Sequence, residues 1–192
     1  MAKIEDKIRG QIIPYLSGPI KEIVGALPAE RLRKLEEIRL RVERPLLVRL
    51  GDEEYAVKVT GELTKQYNLG YTVGEEDLER TLASVSQSSI YALEEELKRG
   101  FITLRGGHRV GLAGRVVLAQ GEIKTMRDFS GLAFRVAREM VGCAEPIASR
   151  LIVTGRRILN TLIVSPPRCG KTTLLRDLTR LYSDGPANLN VV

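Results

Sequence analysis

Residues 161–181 constrain the fold more than any other stretch. Thr161-Leu-Ile-Val164 is a short apolar run of the kind found in a fully buried parallel strand. It feeds Ser165-Pro-Pro-Arg-Cys-Gly-Lys-Thr-Thr173, after which Leu174, Leu175, Leu178 and Leu181 recur at helical spacing. Strand, glycine-containing loop and amphipathic helix in that order predict the opening of an α/β nucleotide-binding domain. The loop matches G-x-x-x-x-G-K-[ST] except that Ser165 stands at the first glycine position. Serine fits there if its φ is negative, so the substitution leaves the pattern's chemistry in place.

Each residue of that loop has an expected task. Backbone N–H groups at the head of a helix form an anion nest, helped by the positive end of the helix dipole. Pro167 lies in the stiff entry and has no N–H to donate, so the cradle rests on Arg168, Cys169, Gly170, Lys171, Thr172 and Thr173. Gly170 lets the main chain approach phosphate. Lys171 places a cation on the β and γ phosphates, and the Thr172 hydroxyl is placed to ligate Mg²⁺. The expected cofactors are therefore ATP and Mg²⁺. Cys169 reads as a small loop filler rather than a reactive thiol.

The rest of the chain changes period. Ile4 to Leu27 is helical and broken at Ser17-Gly18-Pro19, and Pro28 opens a short third helix. Strands are expected at 37–42, 46–50 and 55–59, and helices at 74–87 and 89–98. A second β block follows at 101–104, 109–118 and 132–137, then a helix at 146–153. A final strand begins at Asn188. The fold class is thus an α+β N-terminal domain, helices plus an antiparallel sheet, over residues 1–145. The start of a RecA-like P-loop α/β domain follows over 146–192.

Strand parity supplies a second functional signal. Val110, Leu112, Val116 and Leu118 point one way, and Arg109, Gly111, Ala113 and Arg115 the other. On the later strand Leu132, Phe134 and Val136 face the core, while Arg135 sits between Ala133 and Ala137. Arg39 and Arg41 repeat the theme. Arginines spaced by small residues form either a solvated sheet face or ligands for a γ-phosphate, supplied to an adjacent subunit as arginine fingers. Arg115 and Arg135 are the candidates, with Lys171, for catalytic roles.

Composition excludes more than it selects. One histidine, His108, rules out most histidine-based metal and Ser-His designs, and it reads as a turn residue or a phosphate contact. Cys143 and Cys169 form neither a disulfide framework nor a zinc spacing. A net charge of +6 suits nucleotide phosphates, a membrane surface, nucleic acid or an ordinary solvated face. With 5% aromatics and no tryptophan there is no stacking platform, so nucleic acid is not an expected partner. The first ten residues carry no cleavage signal and no apolar run spans a membrane, which leads to the expectation of a cytoplasmic protein.

Four blocks together, "EIRLRVERPLLV", "FITLRGGHRVGLAGRVV", "RDFSGLAFRVARE" and "NTLIVSPPRCGKTTLLRD", resemble the stage III sporulation protein AA family of endospore-forming bacteria. That family is similar to the ring-forming ATPases of type II and type IV secretion. The resemblance implies an N-terminal α+β domain whose strand arginines complete the nucleotide site of a RecA-like domain. It also implies an ATPase working in the mother cell, peripheral at the membrane, at the base of the channel to the forespore. Expected partners are further copies of the chain in a ring, a hexamer, and membrane subunits of the channel. The family places an Asp-Glu pair just beyond the final strand, and the sequence stops at Val192. The expectation is therefore a fragment that hydrolyses ATP negligibly by itself. Alternative readings are a nucleic-acid-linked P-loop protein and an N-terminal docking module for a membrane complex.

Overall fold

The computed structural model describes residues 4–86, 94–119, 121–138, 141–153, 157–166, 169–184 and 189. The chain divides into two compact units, Met1–Ala137 and Arg138–Val192. The division falls before residue 145 because the 142–145 segment is tied to the second unit, where the Ala144 N–H donates to Asp177 Oδ2 at 2.8 Å.

The first unit opens with α1 (Ile4–Gln11), a 3₁₀ turn (Ile13–Tyr15), α2 (Gly18–Gly25) and α3 (Ala29–Lys34). Then come β1 (Leu35–Arg41), β2 (Leu47–Leu50), β3 (Glu53–Val57) and the short β4 (Leu63–Thr64). Helices α4 (Glu75–Val85) and α5 (Glu94–Arg99) lead into β5 (Phe101–Thr103), β6 (Arg109–Ala119) and β7 (Glu122–Arg135). The seven strands form one sheet in the order β4-β3-β2-β1-β7-β6-β5, and every pairing is antiparallel. Two meanders thus meet where the first strand pairs with the last.

The helices cover one face. Ile8, Ile12, Ile20, Val24, Leu32, Leu78 and Leu82 join Ile38, Leu40, Val48, Val110, Leu132 and Phe134 in a single apolar core. Residues that alternate with these on the central strands, Arg39, Arg41, Arg109 and Arg135, point to the opposite, open face. A register shift between Leu35 and Glu37 lets Leu35 and Ile38 both enter the core despite their odd spacing. Gly131 allows β7 to lie close to β1, since a Cβ there would sit 2.9 Å from the Leu40 carbonyl oxygen.

Three expectations change. β7 begins at Glu122, ten residues before the predicted strand, because 122–131 carries too few apolar residues to show a period. The inward parity of β6 holds at Val110 and Leu112 but not at Val116 and Leu118, which are exposed. Between the pairs Ala113↔Gly131 and Arg115↔Arg127, β7 spends four residues where β6 spends two. Asp128 takes φ 51° in that bulge, and the pleat beyond it is reset. The predicted helix over 89–98 is described from Glu94 and ends at Arg99; 89–93 lie outside the described residues.

His108 has a structural task. It is buried, its Nδ1 accepts the Ala137 N–H at 3.0 Å, and its Nε2 lies 3.1 Å from Gln11 Oε1. A backbone N–H can only donate, so the ring proton sits on Nε2 and is given to Gln11. Burial, and secondarily the charge of Lys7, push its pKa below 6.5. The folded chain then binds fewer protons than the unfolded one, so stability falls as pH drops below about 6.5 and flattens beneath the folded pKa. NMR of this sole histidine against pH should give a midpoint under 6.5; a midpoint above it would contradict the assignment.

The second unit contains α6 (Glu145–Ala148), a 3₁₀ turn (Ser149–Leu151), the pair β8 (Ile152–Val153) and β9 (Arg157–Ile158), and α7 (Lys171–Asp184). Its small core gathers Ala144, Leu178 and Tyr182, with Ile147, Leu151, Leu174 and Leu181 against them. The predicted buried strand at 161–164 does not form: these residues are irregular, with Leu162 86% and Val164 79% exposed. A parallel strand needs a ladder partner and covered faces, and among the described residues nothing pairs with this one. The helix expected over 146–153 is cut short at Ala148 and ends as 3₁₀ turn and strand. The strand expected from Asn188 lies, apart from Leu189, outside the described residues.

Candidate functional site

Helix α7 begins at Lys171, the second residue of the Gly-Lys-Thr triplet, and Gly170 just before it has φ 80°. That left-handed value is one that L side chains rarely adopt, and no atom lies within 4 Å of where a Cβ would stand. The first helical bond, Leu174 N–H to the Gly170 carbonyl, is 2.9 Å. The N–H groups of the first turn are left at an open helix end.

The Lys171 side chain folds back over the loop. Its Nζ donates to the Ser165 carbonyl at 2.8 Å, the Pro166 carbonyl at 2.8 Å and the Ser165 hydroxyl at 3.3 Å. An ammonium group carries three donors, and all three are used within the loop. Ser165, Cys169, Gly170, Lys171 and Thr173 line a cavity of about 500 Å³ together with Cys143, Ile163, Val164 and Leu174. Thr172 is exposed on the first turn of α7. Pro167 and Arg168 lie outside the described residues. Lysine head, helix N-terminus and unobstructed glycine suit a phosphate chain, and the Thr172 hydroxyl suits a magnesium ion held against it.

The sequence did not single out Asp177. It is buried on α7, one turn past Thr173, and accepts the Ala144 N–H at 2.8 Å and Arg180 Nε at 2.9 Å. These bonds, the Ala144 N–H first, lower its pKa to about 2. Cys143 is held beside it with its Sγ 3.9 Å from the Thr173 carbonyl; burial and the Asp177 charge raise its thiol pKa. Aspartate within an amphipathic helix looks like an ordinary solvated residue, so only its partner on a distant segment exposes the role. Asp177→Asn in a Cys169→Ser background should raise the reaction rate of Cys143 with a thiol reagent several-fold near pH 7.5; an unchanged rate would show that Asp177 does not restrain this segment. Of the leucines predicted to face the core, Leu175 is exposed, and Tyr182 joins that small core instead.

In the first unit, Arg135 and Arg109 are directly paired across β7 and β6. Arg115 lies six residues further along β6, ~20 Å away at extended-strand rise, beyond the bulge, and forms an ion pair with Asp128 at 3.3 Å. The structure therefore groups Arg135 with Arg109, Arg39 and Arg41, and sets Arg115 apart.

A layered α+β unit joined to a unit whose helix opens on Gly-Lys-Thr defines the class of chain that these observations describe. The chain belongs to the family described as sporulation stage III, protein AA, whose profile matches residues 6–192. Stage III sporulation protein AA of Bacillus subtilis (strain 168) is 42% identical over 180 residues, 93% of this chain. The chain spans 54% of that relative's length. Among solved structures, the ATPase DotB of Legionella pneumophila aligns with 76% of this chain and 38% of its own, at 13% identity and a TM-score of 0.37. Among the described residues, no helix is long and apolar enough to cross a membrane.

Proposed function

We propose that the second unit is the nucleotide cradle of a RecA-like P-loop ATPase of the secretion-motor type, serving the sporulation channel between mother cell and forespore. The observation that supports this reading most is Lys171 at the head of α7 beside Gly170, its ammonium held on exchangeable loop carbonyls. In this reading Arg168 to Thr173 hold the phosphates of ATP and Thr172 holds Mg²⁺. Arg135 serves the γ-phosphate of a neighbouring copy in a hexameric ring, and Arg115, set ~20 Å from it, does not reach that same phosphate. Mg²⁺ would neutralise charge on the phosphates, and Lys171 would orient them and stabilise negative charge developing in transfer. The ring would sit at the mother-cell membrane and act on membrane subunits of the channel.

Calorimetric titration of the 192-residue chain with Mg-ATP, beside phosphate-release assays of a full-length family member, tests this reading. Weak binding with negligible hydrolysis by this chain, and turnover by the full-length relative, are expected. A full-length relative that neither binds nor hydrolyses ATP would end it. Exposed Val116, Leu118 and Ile123 near the turn of the β6–β7 hairpin favour a companion role for the first unit in docking a membrane subunit. Leu118→Glu should then abolish co-purification with that subunit while leaving nucleotide binding unchanged.

A further inference from the structure

The chain has two cysteines, far apart in the sequence, and the fold brings both to one cavity. Cys143 and Cys169 line the same space of about 500 Å³ at the head of α7, beside Ser165, Gly170, Lys171 and Thr173. Both are free thiols and both are exposed, so neither serves as a small hydrophobe in a core.

The two sulfurs are carried differently. Cys143 stands on a braced segment. Its neighbour Ala144 is fully buried and donates its N–H to Asp177 Oδ2 at 2.8 Å, and the Tyr182 hydroxyl on α7 donates to the Ala148 carbonyl at 3.0 Å. Cys143 Sγ lies 3.9 Å from the Thr173 carbonyl, on the first turn of the same helix. Cys169 stands on the loop, next to Gly170. The φ of 80° at Gly170, and the open space where its Cβ would stand, let the backbone turn there without steric conflict. A disulfide needs Cα atoms about 5.5–6 Å apart, so forming one draws the loop-borne residue to the braced one across the cavity. An exposed thiol next to a second thiol able to resolve it is the arrangement of a redox-sensing pair.

We propose that Cys143 and Cys169 form a reversible disulfide that closes the cavity at the head of α7, with a low-molecular-weight disulfide as oxidant. The Cys169 thiolate attacks one sulfur of the oxidant RSSR; its S–S bond breaks and RS⁻ leaves, taking a proton from water. Cys143 then gives its proton to solvent and attacks the Cys169 sulfur, expelling the second RS⁻. Two protein thiols are oxidised to one disulfide, and RSSR is reduced to two RSH. The order follows from environment: desolvation and the Asp177 carboxylate push the Cys143 thiol pKa up, so Cys143 is the slower nucleophile and acts second. The closed loop covers Lys171 and the N–H groups of the first turn. Exclusion of nucleotide rests on the proposed function; formation of the bond does not.

The test is incubation of the dilute 192-residue chain with oxidised glutathione, followed by intact-mass measurement and peptide mapping. The folded chain should lose both thiols without retaining glutathione, and mapping should link Cys143 to Cys169. Its equilibrium constant against glutathione should exceed that in urea by about tenfold or more, because only the fold brings the thiols together. Cys143→Ser should stop at a glutathione adduct on Cys169, and Cys169→Ser should react about tenfold more slowly than Cys143→Ser. Amide hydrogen exchange over 169–173 should slow several-fold in the oxidised chain and recover with dithiothreitol, which reads closure without any nucleotide. The proposal is overturned if the folded chain yields only mixed disulfides or dimers, if urea leaves the equilibrium constant unchanged, or if exchange over 169–173 does not slow. Mg-ATP titration of the reduced and oxidised chains keeps the two readings apart. Binding by the reduced chain alone supports both, and equal binding in the two states overturns the closure. A disulfide with its slowed exchange, in a chain that binds ATP in neither state, upholds the switch and counts against the cradle.

Discussion

Under the proposed function, Lys171→Ala is expected to reduce ATP turnover on the order of 10²- to 10³-fold, measured at the equivalent lysine of a full-length family member, the usual cost of removing one preorganised charge donor. In the 192-residue chain it should abolish nucleotide binding at the lysine loop. Three loop contacts at 2.8–3.3 Å hold the ammonium on Ser165 and Pro166, and a bound phosphate would take the place of part of them. Alanine removes both the charge and the tether on residues 165 and 166. Lys171→Arg should not restore activity, because a planar fork cannot replace a point charge with three tetrahedral donors. Far-UV circular dichroism should be unchanged, since alanine is a good helix former at the head of α7. Turnover kept within twofold of the parent would show that the loop does not serve the reaction.

Phe134→Ala is expected to destabilise the first unit by about 3–5 kcal/mol. Phe134 is 1% exposed, and it lies on β7 between β1 and β6 at the centre of the seven-stranded sheet. Removing a buried aromatic ring there forfeits transfer energy and leaves a cavity that two flanking strands prevent from collapsing. Domains are commonly stable by ~5–15 kcal/mol, so the loss is a large share of the total. Val116→Ala on the adjacent strand should cost within about 0.5 kcal/mol, because Val116 lies past the bulge and is exposed. Urea midpoints of the two variants measure the contrast. Equal midpoints would mean that the hairpin is packed uniformly along its length.

Much of the first unit was legible locally. Glu37 to Arg41 alternates strictly, and the helical spacing of Ile8 and Ile12 matches the covered face of the sheet. Residues 122–131 were not legible, because that half of β7 is held chiefly by pairing with β6 and buries Met126 as its one large side chain, too few to show a period. Residues 161–164 failed in the opposite way. Their composition suits a buried strand, yet a strand exists only where a partner ladder does. The Gly170-Lys171 head of α7 was readable because its conformation is set within a few residues, whereas Asp177 acts across 33 residues on Ala144.

The sequence by itself determined the family, the helical and strand-forming stretches, and the lysine at the head of a helix, since these depend on side-chain periodicity and local backbone preference. Only the tertiary structure decided which arginines stand together. The pairing of β7 with both β1 and β6 sets Arg135 beside Arg109 and over Glu37, and the bulge at Asp128 sends Arg115 elsewhere. Register between strands distant in sequence is fixed by packing of the buried face, and the open face inherits it.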